Sequence, residues 1–557
     1  MRMKIYYFLF ILLACNPIFA QQSNYLITYK RSSNGKFAEK QNPTLVYARP
    51  DQTSITSQQI IDGGARMPYE QYYVDRQNGA YYKLTTFEGG RQIATVDSAI
   101  LGKQKLTITE ESKTILGYKV RKATTSVNSN TIDLWFTDAI GVKGSPVELG
   151  QNLGMVLEMV RNGNSTVTAT KIEKVKSIPD AVKLPSISSF VDELTYKDLL
   201  WKSRFVNVPV FTKQRIRYGD NVKSDSILRF AGGTVIVRKV KIPELKKNEG
   251  QAFVEVVQQS KGDAYDRTGS VFLIPTDRDI NFLEGMKAGM NTLPIYENGN
   301  GKKYQGMTLT QSYEPVIELM RFFTPFGVSQ FNHIQLKGKH WQDSVSYRQD
   351  ISELLPRFAG KEVYIGTYIG NYDKEGHEVS VSITIHPGRP QMAGGAQVLS
   401  LFNTTNVMEM GGQEYPTMFD QDKGVEVKFT LAQDAKNAQL RYITTGHGGW
   451  GNGDEFVPKP NSVFVDGQST FKFTPWRTEC GSYRLSNPAS GNFESGLSSS
   501  DLSRSNWCPG TVTNPIYIDL GDLKAGEHTI RVHIPQGAPE GTSLSYWNVS
   551  GSLLYYN

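Results

Sequence analysis

The feature that most constrains this chain is a pattern of short apolar runs, rich in Val, Ile, Phe and Tyr, with no helical spacing between them. In the last third it reads Val425–Phe429, Leu440–Thr444, Val463–Val465, Ile516–Leu520 and His528–Val532. Strands this short and this closely spaced favour sandwiches or jelly rolls over a parallel sheet. Nearer the start, Asn78-Gly79 precedes the run Tyr81–Leu84, and Asn162-Gly163 follows Met155–Val160. Asn-Gly beside strand-like runs is the strongest short-range hairpin signal, because the turn that matches strand twist needs φ > 0 at both central residues. The expectation is an all-β chain.

At 557 residues the chain is too long for one core, and its length suggests about three or four domains. The sequence divides into a signal peptide at 1–20, an N-terminal β domain at 21–175, a linker at 176–203, and β domains at 204–389 and 390–557. Pro179, Pro185 and a Ser cluster extend the first half of the linker. Thr195–Asp198 then reads as a capping box opening a short helix through Leu199, Leu200 and Trp201. A long insertion between Pro275 and Glu314 carries Glu297–Gly301, read as a loop tip.

The leader has Arg2 and Lys4 before the apolar run Ile5–Ala14, then Asn16–Ala20, with cleavage expected after Ala20. Leu12–Cys15 also resembles a lipobox, the alternative being a lipid anchor on Cys15. No later segment is apolar enough to form a transmembrane helix. The protein is expected outside the cytoplasm: periplasmic, secreted or associated with the outer membrane. Its net charge of +7 is spread thinly, without a basic block of nucleic-acid-binding density, so nucleic acid is discounted as a partner. Cys480 and Cys508 remain in the body of the chain. In an exported protein such a pair most simply forms a disulfide, two buried thiols being the alternative.

The candidate chemistry starts in Lys261–Ser270, a loop between two strand-like runs. Gly262 and Asp263 suffice for its turn, so Tyr265, Asp266 and Arg267 are surplus to turning. Loops on rigid scaffolds are where function concentrates. The bland alternative is an Asp bonded to nearby backbone beside a solvated Arg. No G-x-S-x-G elbow or H-E-x-x-H spacing occurs, and His528 and His533 point to opposite faces of one strand, so a metal site is disfavoured. Gly446–Gly451 has dinucleotide-fingerprint spacing, but strand character follows where phosphate binding needs a helix. Carboxylates and aromatics remain: Glu455 between Trp450 and Phe456, then Trp476, Arg504 and Trp507 near the cysteines. A saccharide cleft needs such groups, because apolar sugar faces stack on rings and hydroxyls bond to charged partners. Two acids in opposed loops can activate water and assist a leaving group.

These residues resemble the peptide-N-glycosidase F family. The likeness lies in the Gly/Trp loop, Glu455-Phe456, Cys480 and Arg504-x-x-Trp507-Cys508-Pro509-Gly510. Asp263–Arg267 is similar to the family's D-E-W-D-R, and Met320–Phe326 to its G-R-F-I-T-P-Y. Ahead of these, Ile115–Lys119, Lys122–Thr124 and Leu134–Asp138 resemble GLPGLI-type exported domains, a likeness that carries no chemistry. The glycosidase resemblance implies two tandem eight-stranded antiparallel jelly rolls behind an extra N-terminal β domain. Across the cleft between them it implies Asp266 and Glu455 as catalytic carboxylates. Arg267 and Arg504 would bind polar groups of the substrate, with Tyr265, Trp450, Phe456 and Trp507 as aromatic contacts. It further implies a Cys480–Cys508 disulfide, no cofactor, no metal, and an N-glycoprotein or glycopeptide as substrate; a monomer is expected. The chain departs from the family at Gly366, which replaces a third acid, and at Gly453 and Val457, which replace cysteines. The expected activity is hydrolysis of the glycosylated Asn side-chain amide. The alternatives are a non-catalytic glycan- or protein-binding relative and a copper monooxygenase relative, for which no His/Met ligand set can be assembled.

Overall fold

A computed structural model describes residues 24–222, 224, 226–245, 249–332, 335–387, 396–413, 415–448, 453–488, 498–538 and 545–557. Among the described residues no helix is long and apolar enough to cross a membrane. The chain divides into two compact units, 1–204 and 205–557.

The N-terminal unit is built on one 12-stranded antiparallel sheet. A meander runs from Asn24–Ser33 to the edge at Gln92–Asp97, and a second runs back from the other edge, Thr107–Ile115. The two join where the first strand pairs with the last, Ser165–Val175. The Asn162-Gly163 hairpin forms as read, with φ of 51° and 71° at the two turn residues. The helix Glu193–Lys202 begins earlier than the Thr195 box suggested. Asp192 caps it instead, accepting from the backbone N–H groups of Leu194 and Thr195. The helix and the segment before it belong to this unit: Ala181 accepts from Gln71, and Tyr196 of the helix is buried with its hydroxyl between Thr85 and Glu70.

The C-terminal unit contains two jelly rolls. In the first, Val206–Ile216, His377–Pro387, Glu249–Ser260 and Ser344–Asp350 form one sheet. Val235–Lys241, with the short Leu228–Phe230 beside it, then Glu362–Ile369, Thr268–Ile274 and Ile317–Phe323 form the other. The second interleaves its strands the same way: Ala396–Asn403, Ser545–Tyr556, Ala435–Gly448 and Ile516–Leu523 face Val425–Leu431, Gly526–His533, Asn461–Val465 and Gln468–Phe473. All five apolar runs read in the last third fall in these strands.

Alternating side chains fill both sandwiches. Val254, Val256, Leu319 and Ile383 lie in the first core; Leu440, Tyr442, Ile530 and Trp547 lie in the second. The strand Val512–Thr513, from the second segment, pairs with Arg321-Phe322 at the edge of a first-sandwich sheet. The loop tip expected at Glu297–Gly301 is docked rather than free. Asn298 is buried and donates to the Met418 carbonyl, while Tyr296 donates to the Gly424 carbonyl. A buried amide left without such an acceptor would be costly, so these bonds fix the insertion against the second jelly roll.

Candidate active site

The loop that carries Asp266 leaves the strand Glu249–Ser260 in one sheet and enters Thr268–Ile274 in the other. It therefore crosses the rim of the first jelly roll. The segment Thr324–Gly327 clamps it: Arg267 N donates to Thr324 Oγ1 at 2.8 Å, Thr324 N to the Arg267 carbonyl at 2.9 Å, and Gly327 N to the Ala264 carbonyl at 3.0 Å. The two motifs of the first jelly roll thus form one local structure.

Beneath the loop, Asp263 is buried and accepts from Arg267 Nε at 2.7 Å and Nη2 at 3.0 Å. His377 is 0 % exposed, with Nε2 3.2 Å from the same carboxylate and Nδ1 3.0 Å from the Gln258 amide. The tautomer with a proton on Nε2 satisfies both neighbours. Burial pushes the Asp263 carboxyl up, but hydrogen bonds from His377 and Arg267, with the arginine's charge, outweigh it and hold the acid well below the usual range.

The second jelly roll supplies the other half. Glu455 N donates to the Gly448 carbonyl and Ser505 N to the Glu455 carbonyl, which ties the acid's loop to the Arg504 segment. Arg504 makes a two-way backbone bridge with Arg477. The Cys480–Cys508 disulfide, with Cα atoms 5.1 Å apart, anchors the residues that follow. Trp507 donates through Nε1 to the Gly446 carbonyl at 2.9 Å.

Asp266 and Glu455 meet on one guanidinium. Arg504 Nη2 donates to Asp266 Oδ2 at 3.1 Å and Nε to Glu455 Oε1 at 2.9 Å. It also donates to Ser499, through Nη1 to the carbonyl at 2.7 Å and through Nη2 to Oγ at 3.1 Å. The arginine side chain is 1 % exposed, whereas Asp266 and Glu455 retain 14 % and 17 %. Burial pushes both carboxyls above the usual carboxylate range, and Arg504 only partly offsets it. Asp266 raises Glu455 further by like-charge repulsion. Such a coupled pair titrates as a unit.

Around this centre, Arg267 lies 5.4 Å from the ring centre of Tyr265 and 5.8 Å from that of Tyr372. Both rings are open to solvent, at 50 % and 53 %. Tyr372 donates to Glu409 Oε1 at 2.7 Å, and burial followed by that carboxylate pushes its phenol up to about 12. Phe456 is half-buried against the Arg504 guanidinium, 5.2 Å from its ring centre. Trp450 lies outside the described residues.

Trp507 departs from its expected role as a sugar contact. It is 3 % exposed, stacked on Phe323 at 4.3 Å, with Arg504 4.5 Å from its ring centre. With its faces covered, it supports the arginine instead of offering a platform. Gly366 faces Phe272 across the sheet, where a Cβ would sit 2.3 Å from the ring. An acid at that position would meet packed aromatic carbon. Sequence reading passed over His377, Tyr372 and Glu409, which lie far along the chain from Asp266 and outside any motif. Asp263, read as a turn residue, is the partner that orients Arg267.

Three family models match consecutive stretches. They are N-glycanase peptide, N-terminal domain, over 27–198; Peptide-N-glycosidase F, N terminal, over 207–385; and Peptide-N-glycosidase F, C terminal, over 414–554. The solved structure of PNGF-II in space group C2 is 56% identical, with TM-score 0.89, over 96% of this chain and 98% of that chain. The same protein in space group P21 is 56% identical, with TM-score 0.91, over 96% and 99%. Recombinant peptide: N-glycanase F (PNGase F) is 14% identical, with TM-score 0.42, over 64% and 96%, too distant to weigh. No curated protein matches the chain.

Proposed function

Because the chain belongs to the peptide-N-glycosidase F family, with an extra N-terminal domain, we propose that it is an exported amidase that hydrolyses the glycosylated Asn side chain of N-glycoproteins and glycopeptides. The observation that carries this reading is the sharing of Arg504 by Asp266 and Glu455, two partly exposed acids from separate jelly rolls.

Amide hydrolysis needs a base for water and an acid for the departing nitrogen. A carboxylate pair holding one proton supplies both. Asp266 orients water and accepts its proton as the oxygen bonds to the side-chain carbonyl carbon. As the C–N bond breaks, the nitrogen takes the proton held by the pair and leaves as a glycosylamine. The peptide keeps the new carboxyl, so Asn becomes Asp. Arg504 fixes the separation of the two acids and stabilises the anionic form. Tyr265 offers a ring face to the sugar, and Arg267, held by Asp263, offers donors to substrate oxygens.

The test is mass spectrometry of a defined glycopeptide after incubation in heavy-oxygen water. The expected product is an Asp carrying label at the former glycosylation site. An unmodified glycopeptide that nevertheless binds the protein would favour the binding-module reading.

A further inference from the structure

The N-terminal unit contains a cavity of about 430 Å³. The strands Tyr69–Asp75 and Ala80–Thr86 contribute one side, and the helix Glu193–Lys202 contributes another. Tyr72 and Tyr81 lie stacked in its lining, with ring centres 6.2 Å apart and planes at 24°. Tyr72 is half-buried, while Tyr81 is buried.

Two lysines and two acids of the lining pair with one another. Lys83 Nζ is 3.3 Å from Glu148 Oε2 and 3.0 Å from Glu193 Oε1, and Lys197 Nζ is 3.0 Å from Glu193 Oε1. The buried Tyr196 donates to Glu70 Oε1 at 2.9 Å. The acids Glu70, Glu148 and Glu193 face the bases Lys83, Lys197 and Arg31, so the lining carries no formal net charge.

That composition selects a ligand class. An anion would meet three carboxylates, and a cation would have to displace the lysines paired with Glu148 and Glu193 or the tyrosine hydroxyl bonded to Glu70. A wholly apolar guest would desolvate these groups without replacing their bonds to water, which is costly. A neutral, polyhydroxylated ring satisfies the site: its C–H face lies on a tyrosine, and its hydroxyls both donate to carboxylates and accept from ammonium groups. The volume falls within the range of small-molecule clefts, about 300–1,000 Å³.

We propose that this cavity is a neutral-saccharide-binding site, additional to the carboxylate pair and independent of whether that pair hydrolyses amides. The shared chemistry fits either the glycan of a glycoprotein or an unrelated free oligosaccharide.

The test is calorimetric titration of the full chain with a free neutral high-mannose N-glycan and, separately, with maltoheptaose. The variants Tyr72→Ala and Leu200→Trp are titrated in parallel. The first removes the ring, and the second fills the cavity from the helix side and decides the matter if the first fails to fold. Binding should weaken about tenfold or more in a folded variant, while turnover of a small glycopeptide stays within about twofold. Loss of N-glycan binding alone identifies the glycoprotein's glycan as the source, and loss for both sugars identifies a general saccharide site. Absence of saccharide binding to the unaltered chain, or binding undiminished in a folded variant, overturns the proposal. Glycopeptide turnover, measured separately, reports on the amidase reading.

Discussion

Arg504 and Arg321 are both buried arginines at the meeting of the two jelly rolls, and both hold acids, yet the acids respond in opposite directions. Arg321 donates through Nε and Nη2 to Glu318 at 3.1 and 2.7 Å, and its other bonds reach Thr405, Thr445 and the Asn548 carbonyl. Glu318 also accepts from Ser270 and Ser550. Burial pushes Glu318 up, but the arginine's charge and the donors prevail and hold it below the usual range. Asp266 and Glu455 instead divide one guanidinium between them, and both are raised. An arginine nearby does not by itself set the sign; burial, the share of its charge each carboxylate receives, like-charge neighbours and further donors set it together. One cluster joins the sandwiches, and the other leaves two coupled acids where solvent reaches them.

The comparison breaks most sharply at Asp266. Asp266→Asn should lower glycopeptide turnover about 10²–10⁴-fold, the usual share of acid–base catalysis, while the protein remains folded. Retention of full turnover, measured by mass spectrometry, would remove this residue from the mechanism. At the other cluster, Glu318→Leu leaves Arg321 buried without its ion-pair partner and should cost about 3–5 kcal/mol in denaturant unfolding. A cost near zero would mean that the buried pair adds nothing to cohesion. Cys508→Ser opens a loop of sequence separation 28. It should cost about 3–4 kcal/mol by the chain-entropy estimate and reduce turnover as the Arg504 segment loosens. Loss of stability with unaltered turnover would separate the disulfide from the site. Smallest is Tyr372→Ala, which removes an exposed contact to Arg267. It should raise KM about two- to fivefold with little effect on kcat, from a cation–π contribution of about 0.5–1 kcal/mol.

The two clusters should also depend on pH in opposite ways. Glu318 has a lowered folded pKa, so the stability it contributes is present above the unfolded value, about 4.3, and disappears as pH falls through the folded one. The deficit of Glu318→Gln in melting temperature should therefore grow from about pH 3 to 5. Asp266 has a raised folded pKa. Stability from its bound proton is present below about pH 3.9 and is lost as pH rises through the raised value. Melting of Asp266→Asn relative to the unaltered chain should thus rise with pH. Parallel trends in the two variants would defeat the comparison.

The strand runs and Asn-Gly turns were legible because alternation and positive-φ residues are local properties. They placed the jelly-roll strands and the hairpin at Asn162-Gly163. The motifs likewise pointed to Asp266, Glu455 and Arg504, because those residues sit in short blocks that resemble a known family. Trp507 was misread for a physical reason: a tryptophan's sequence does not disclose whether a ring such as Phe323 already covers its face. His377, Tyr372 and Glu409 had no local signal, since their partners come from strands and loops far along the chain.

The sequence by itself determined that this chain is all-β, where many of its strands lie, and which short blocks carry acids and arginines. Only the tertiary structure decided that Asp266 and Glu455 share Arg504 while Glu318 has Arg321 to itself, and that Asp263 orients Arg267 from below. The physical reason is that a carboxylate's protonation depends on burial and donor count, and both are fixed by residues brought close only when the sheets close over one another.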